Sequence, residues 1–423
     1  MNAEDSKGSD VPPIIYATAG LIAFSGGLYQ PYLNIYAVEI GATYSEMGVI
    51  TSVNNAAPTI LQPIWGALSD KKGKRKPFIF LGCFAGNALI FLFLLAKDPM
   101  LFALFLAAHF IVLSASTPTW NALLGKIIPE KVRGKVLGKV NAIAFAGRVF
   151  ATAIAGIIMT WILGQTLESQ YTFVFTAAAV FGILGSLLIL KFKEPVENGG
   201  TPVYRGLKVA LKETLRNKYF RRLCSLEALF GMAMSMSWPY FSVVMVRKLE
   251  ATKFEIAVAS IIFGATASLS QFYLGKLVDK FGRKPIIVVS RIVLPLYPFL
   301  FILSQNMYYV YLANLIGGIS NGLSIVAISA YILDISQDHE RGTYFATYNT
   351  LFGLATFAGS IFSGYLGMFF QTFQSEIQAL NTVLSISVIL RMITAMLFLT
   401  LKETKKIAPA KMPLMPPIPK TEK

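Results

Sequence analysis

Charge is scarce in this sequence: only 14% of its 423 residues are Asp, Glu, Lys or Arg, against 55% apolar, with a mean hydropathy of +0.59. A soluble fold has too little interior to hide that much apolar surface, so the balance excludes a soluble protein. Cysteine is nearly absent. Cys83 and Cys224 both fall in long apolar stretches, which excludes a disulfide framework and leaves no metal-ligand spacing. No glycine-rich stretch ends in Gly-Lys-Ser or Gly-Lys-Thr, so ATP is not the energy source carried on this chain. No nucleophile–base pair stands out either, and a membrane enzyme is a distant alternative; no cofactor is expected. The polar opening Met1–Asp10 has neither a basic n-region nor a cleavage site, so the first apolar stretch reads as a retained helix.

Long apolar runs are what the chain does have. A spanning helix needs roughly 20 mostly apolar residues. Twelve stretches qualify, at about 14–38, 45–69, 77–97, 99–125, 137–163, 170–192, 221–246, 254–278, 285–305, 307–334, 343–370 and 378–401. The runs are continuous rather than alternating, which favours helices that satisfy their own backbone hydrogen bonds over a barrel. A formal charge of +16 raises the possibility of a nucleic-acid partner, but the placement argues against one. With the amino terminus in the cytoplasm, inner segments and adjoining span ends hold 31 of the 38 Lys and Arg, outer segments four, and spans three. That is the positive-inside pattern, with both termini cytoplasmic and the basic excess facing membrane lipid.

The chain repeats itself. Gly66-Ala67-Leu68-Ser69-Asp70-Lys71-Lys72-Gly73-Lys74-Arg75-Lys76-Pro77 returns as Gly275-Lys276-Leu277-Val278-Asp279-Lys280-Phe281-Gly282-Arg283-Lys284-Pro285, each copy between two apolar runs. At an offset of 208, Pro31-Tyr32 falls on Pro239-Tyr240, Arg133-Gly134 on Arg341-Gly342, Asn141 on Asn349 and Gly156 on Gly364. This doubled loop resembles the signature between the second and third helices of major facilitator superfamily transporters, and the resemblance covers residues 14–401. It implies an all-α membrane protein with twelve transmembrane helices in two pseudo-symmetric six-helix bundles. The expected organisation is a cytoplasmic tail over 1–13, bundles over 14–192 and 221–401, a linker over 193–220 and a second tail over 402–423. Within the linker, Gly199-Gly200-Thr201-Pro202 is a flexible break. Beyond it, Leu207, Leu211 and Leu215 set against Lys208, Lys212 and Arg216 predict an amphipathic helix on the cytoplasmic membrane surface, a solvated charged linker being the alternative.

An acid at the carbonyl end of a helix is disfavoured by the helix dipole and needs a positive partner, which applies to Asp70 and Asp279. The resemblance implies that these loops brace the halves on the cytoplasmic side and release as that side opens. Asp70 would then pair with Arg75 or the start of the eleventh span near Thr343, and Asp279 with Arg283 or the start of the fifth. Gly66 and Gly275 would let helices approach closely. Glu130 with Arg133, and Asp338 with Arg341, form a second charged set at that face. Simple topology anchoring is the alternative, though it requires no acid.

Polar groups deep in the bilayer are costly and default to functional roles. Arg148 shares a stripe with Asn141, Phe145 and Thr152; the equivalent stripe, Asn349, Gly353, Thr356 and Ser360, has no cation. Arg148 would face the central cavity and bind an anionic group or hold a carboxylate. Glu227 is the first candidate for proton coupling, with pairing to Arg222 or Lys218 as the alternative. His109 is a second candidate, with packing as its alternative. Arg291 is read as snorkelling to the cytoplasm, and Arg391 has no assigned partner. Gln30 with Asn34, Trp238 with Tyr240, and Asn314 with Asn321 complete a cavity lining, to which Asn349 also belongs.

These features point to a monomeric, proton-coupled secondary transporter of the cell membrane that moves a small molecule by alternating access. The fifth span lacks the Gly-Pro motif that the resemblance associates with drug–proton antiporters. Efflux of amphipathic compounds is placed slightly ahead of organic-anion or other small-metabolite symport through Arg148. A non-transporting receptor is a further alternative.

Overall fold

The computed structural model describes residues 12–128, 132–163, 166–192, 194, 207–337 and 340–404. Every described element is helical. In chain order they are α1 (Ile14–Tyr29), α2 (Leu33–Glu39), α3 (Tyr44–Lys72), α4 (Lys76–Leu89), α5 (Pro99–Leu113), α6 (Ser116–Ile127), α7 (Arg133–Ile157), α8 (Leu167–Ile189) and α9 (Leu207–Thr214). There follow α10 (Lys218–Ser235), α11 (Trp238–Val243), α12 (Lys253–Leu269), α13 (Gly275–Phe281), α14 (Arg283–Val293), α15 (Leu296–Leu303), α16 (Met307–Ile335), α17 (Arg341–Gln371) and α18 (Glu376–Leu397).

Ten helical stretches among the described residues are long and apolar enough to cross a membrane. The first two runs, α1–α2 and α3, are not among them. Gln30 and Asn34 in the one, and Asn54, Asn55 and Gln62 in the other, dilute their hydropathy.

Prolines account for four of the breaks in the long helices. A proline lacks the N–H that would bond the carbonyl four residues earlier, and its ring crowds that carbonyl. Pro31 lies in the short 3-10 turn Gln30–Tyr32 that separates α1 from α2. Pro118, Pro239 and Pro298 follow the breaks between α5 and α6, α10 and α11, and α14 and α15. Elsewhere helices start on side-chain caps: Asp98 accepts from the Leu101 N–H at 2.9 Å, and Thr252 with Glu255 and Ser375 with Gln378 form capping boxes. Gly73 and Gly282, in the two signature loops, take φ of 64° and 96°, where only glycine reverses the chain without strain.

Packing crosses between the first and second halves of the chain. α3 lies along α17, and α7 along both α1 and α12. A Cβ at Gly48 would sit 2.8 Å from the Ser360 carbonyl, and one at Gly156 would sit 2.7 Å from the Ala257 Cβ. Such small residues let helix backbones close where no hydrophobic force distinguishes helix from lipid. The linker helix α9 ends against α17 rather than lying wholly free on a surface: Thr214 is buried and its hydroxyl donates to Thr347 Oγ1 at 3.2 Å.

Candidate functional site

The carbonyls freed by proline are where the halves reveal their common plan. Pro31 frees the Gly27 carbonyl, which accepts from the Thr152 hydroxyl of α7 at 2.8 Å. Pro239 frees the Ser235 carbonyl, which accepts from the Ser360 hydroxyl of α17 at 3.1 Å. All three positions, proline, carbonyl and hydroxyl, recur at an offset of 208. The neighbouring tyrosines follow suit. Tyr32 donates to the Thr152 carbonyl at 3.2 Å and Tyr240 to the Ser363 carbonyl at 2.5 Å.

Embedded charge is not repeated. Glu227 is fully buried and Arg291 is 4% exposed. Arg291 Nη2 donates to both Glu227 oxygens, at 2.9 and 2.7 Å, and its plane lies 4.6 Å from the Phe230 ring centroid. Tyr348 donates to Glu227 Oε2 at 3.3 Å, and Arg291 Nη1 to Ser324 Oγ at 3.4 Å. The snorkelling expected of Arg291 is therefore corrected: it turns inward, where the buried Glu227 carboxylate and the guanidinium supply each other's counter-charge. Arg222, considered above as a partner of Glu227, instead donates to Thr400 Oγ1.

Arg391 is buried with no carboxylate among its bonded partners. Its guanidinium donates to the Leu294 carbonyl at 3.3 Å, the Met234 carbonyl at 2.6 Å and the Ser237 hydroxyl. Pro298 removes the donor that the Leu294 carbonyl would meet four residues on; the Tyr297 N–H at 3.1 Å and the arginine take its place.

Arg148 behaves oppositely. It is exposed and, among the described residues, makes no hydrogen bond or ion pair. On α7 and the π-helical turn Ile158–Ile162 that continues it, Phe150 (63%) and Trp161 (64%) are exposed on one stripe. Arg148 stands two positions before Phe150, roughly 200° round the helix, and so points away from that stripe. Its backbone packs against Gly27 of α1. Gln30 Nε2 lies 3.5 Å from the Tyr29 hydroxyl, and Asn54 Nδ2 lies 3.5 Å from Asn34 Oδ1. Gln30, Asn34, Trp238, Asn321 and Asn349 are all half-buried.

Two expected lining residues depart from that role. Tyr240 is buried, its hydroxyl spent on α17 and its ring edge-on to Tyr44 at 5.1 Å. Asn314 is buried and bonded to Tyr297 and the Val310 carbonyl. His109 is also buried: Nδ1 lies 2.7 Å from the Gly86 carbonyl and Nε2 2.8 Å from the Tyr29 hydroxyl, inside a box with Phe93 and Phe110. A nitrogen facing a carbonyl must carry the proton, so in the neutral ring Nδ1 donates and Nε2 accepts from the Tyr29 hydroxyl.

At the signature-loop end, Arg283 joins Asp279 at 3.1 Å, as expected, but also Asp334 at 2.9 Å. Two carboxylates there escaped the sequence reading. Glu194 accepts from the Arg75 and Lys76 N–H groups at 2.6 and 3.1 Å, and Glu403 from those of Arg283 and Lys284 at 3.2 and 3.0 Å. They stand 209 residues apart and anchor the same helix start in each half; Lys-Glu closing both halves was the available signal. Arg133 donates to the Gly125 and Ile128 carbonyls at 2.9 and 3.5 Å. Glu130, Asp338 and the Asp70 side chain lie outside the described residues, and Arg341 is exposed at the start of α17. The close approach expected at Gly66 and Gly275 is corrected. Among the described residues a Cβ there would meet nothing nearer than 3.9 and 3.7 Å, because the tight crossings lie towards the other end.

That other end, around Glu39, ties the halves directly. Lys253 of α12 pairs with Glu39 of α2, whose second oxygen accepts from Tyr171 at 2.5 Å. Arg247 donates to the Ala42 carbonyl at 2.8 Å and pairs with Glu376 at 2.5 Å, while Tyr44 donates to the Glu376 carbonyl at 2.9 Å. The arrangement is that of a multi-pass membrane protein whose embedded polar groups sit between packed helices.

Comparison with known proteins assigns the class. The family model of the Major Facilitator Superfamily matches residues 15–226 and again 223–421. The chain belongs to that superfamily of membrane transporters and is not an enzyme. It is 25% identical over 379 residues to an uncharacterized MFS-type transporter of Methanocaldococcus jannaschii, covering 86% of this chain and 90% of the other. It is 27% identical over 343 residues to the multidrug resistance protein MdtG of Dickeya zeae, covering 78% and 80%. Among solved structures, a mutant of the nucleoside transporter NupG superposes with a TM-score of 0.76 at 14% identity, covering 92% of this chain and 98% of that one. A bacterial homolog of the human lysosomal transporter Spinster, inward-facing and occupied, gives 0.69 at 16% identity, covering 93% and 97%.

Proposed function

We propose that this chain is a proton-coupled secondary transporter of the cell membrane. Twelve spans form two six-helix bundles, over 14–192 and 221–401, that rock about a site between them. The observation that carries this reading is the duplicated contact of Thr152 with the Gly27 carbonyl and Ser360 with the Ser235 carbonyl. It gives each half the same frame, as alternating access about a pseudo-twofold axis requires. The excess of Lys and Arg at the signature-loop end favours that end, with both termini, as cytoplasmic.

Glu227 is the coupling acid: protonating it would release Arg291, and Tyr348 links the pair to α17. His109, both of whose ring nitrogens are engaged, serves packing. The substrate is an amphipathic compound driven outward, a reading supported by relatives named for multidrug resistance. Gln30, Asn34, Trp238, Asn321 and Asn349 line its path. In a second reading, favoured by the exposed Arg148, the cargo is an organic anion. Reconstitution into liposomes tests both. Movement of a lipophilic dye or an aromatic carboxylate should follow an imposed proton gradient and stop when the gradient is collapsed. Movement indifferent to the gradient would contradict coupling, and none at all would contradict transport of either class.

A further inference from the structure

We propose that a second ligand site, separate from the central one, lies at the Glu39 end within the first half of the chain. It takes an amphipathic organic cation, and its occupation loosens the tie between Glu39 and Lys253. A cavity of about 410 Å³ opens there between α2, the turn after α4, and α8. Its wall is aromatic. The Tyr36 ring stands 4.6 Å from Tyr171 and 5.3 Å from Phe175, and Tyr171 stands 5.5 Å from Phe175. The Tyr36 hydroxyl is spent on the Ala96 carbonyl at 2.9 Å, so this residue offers a ring face rather than a hydrogen bond. Two carboxylates, Glu39 and Glu168, meet one lysine, Lys97, around the opening.

The chemistry that fits such a wall is already represented in the molecule. The Lys253 ammonium, reaching over from the second half, sits 5.5 Å from the Tyr171 centroid while paired with Glu39. Tyr171 in turn donates to the other Glu39 oxygen at 2.5 Å. An organic cation in the cavity would meet the same ring and the same carboxylate, and would compete with Lys253 for both. An anion would face two carboxylates and only one lysine of the lining, Lys97. The tie joins the two halves, so displacing Lys253 favours their separation at this end. This inference does not depend on what the central site carries.

The test uses the full chain in lipid nanodiscs, with benzyltrimethylammonium as probe and benzenesulfonate as its charge-reversed control, followed by calorimetry. The cation should bind with an affinity set by the two glutamates, whereas any binding of the sulfonate, at Arg148 included, should be the same in wild type and in both glutamate variants. Glu168→Gln should weaken cation binding by about fivefold and Glu39→Gln by about tenfold or more. Glu168 is outside the tie, so its variant keeps the test valid if Glu39→Gln fails to fold. A thiol reporter at Thr160→Cys, with Cys83 and Cys224 replaced by serine, reads the coupling. Thr160 Oγ1 accepts from the Phe254 N–H across the halves at 3.0 Å. Labelling should accelerate when the cation saturates the protein. No cation binding, sulfonate binding that falls with the glutamate substitutions as the cation's does, or cation affinity unchanged by both substitutions would overturn the site. Labelling unaffected by the cation would overturn its link to the tie.

Discussion

The first and second halves of the chain share a backbone device and differ in where they keep charge. Each breaks a long helix at a proline, Pro31 or Pro239, and covers the orphaned carbonyl with a hydroxyl from α7 or α17, Thr152 or Ser360. Each starts the helix after its signature loop on a carboxylate, Glu194 or Glu403. Into this common frame the second half places Glu227, Arg291 and Arg391, all buried and bonded, whereas the first half leaves Arg148 exposed. Thr356 stands where Arg148 stands in the other half. Backbone satisfaction is needed by any membrane helix and so survives duplication; charge is expensive there and appears where a particular task requires it.

The largest effect should come from breaking the buried pair. Glu227→Ala leaves Arg291 uncompensated and should lower stability by about 3–5 kcal/mol, read by thermal unfolding in detergent. Adding Arg291→Met should restore most of that loss, which a purely steric role of Glu227 would not allow. Next come the shared contacts. Thr152→Val and Ser360→Ala each leave a proline-freed carbonyl unsatisfied, and each should cost about 1–3 kcal/mol. Similar losses sharpen the equivalence of the halves, whereas a silent variant on one side would break it. Smaller again are the caps: Glu194→Gln and Glu403→Gln should each cost about 0.5–2 kcal/mol. At the bottom, Arg148→Ala should change stability by no more than about 0.5 kcal/mol, as befits a side chain with no bonded partner.

Much of this frame was legible because apolar length and proline position act locally. The helices fall on the apolar runs, and the offset of 208 that aligned Pro31 with Pro239 also aligns the hydroxyls that cover their carbonyls. The charges were harder. Glu227 and Arg291 lie 64 residues apart on different helices, and nothing in either run indicates that they meet. Depth along a span suggested that Arg291 could reach water, but the nearer Glu227 carboxylate outweighs that route. Arg391 looked partnerless because its acceptors are two backbone carbonyls and the Ser237 hydroxyl, and only the Leu294 carbonyl is marked in the sequence, by Pro298 four residues on. Tyr240 was read as lining from its position beside Trp238, yet its hydroxyl is taken by Ser363.

The most direct test of the difference between the halves is transport, in liposomes, of two amphipathic compounds matched in size, one anionic and one cationic. Wild type and Arg148→Ala are compared under the same proton gradient. If Arg148 is the open charge of the central site, the variant loses anion movement by about tenfold or more while moving the cation as before. Equal loss of both compounds, or anion movement left intact, would contradict the account.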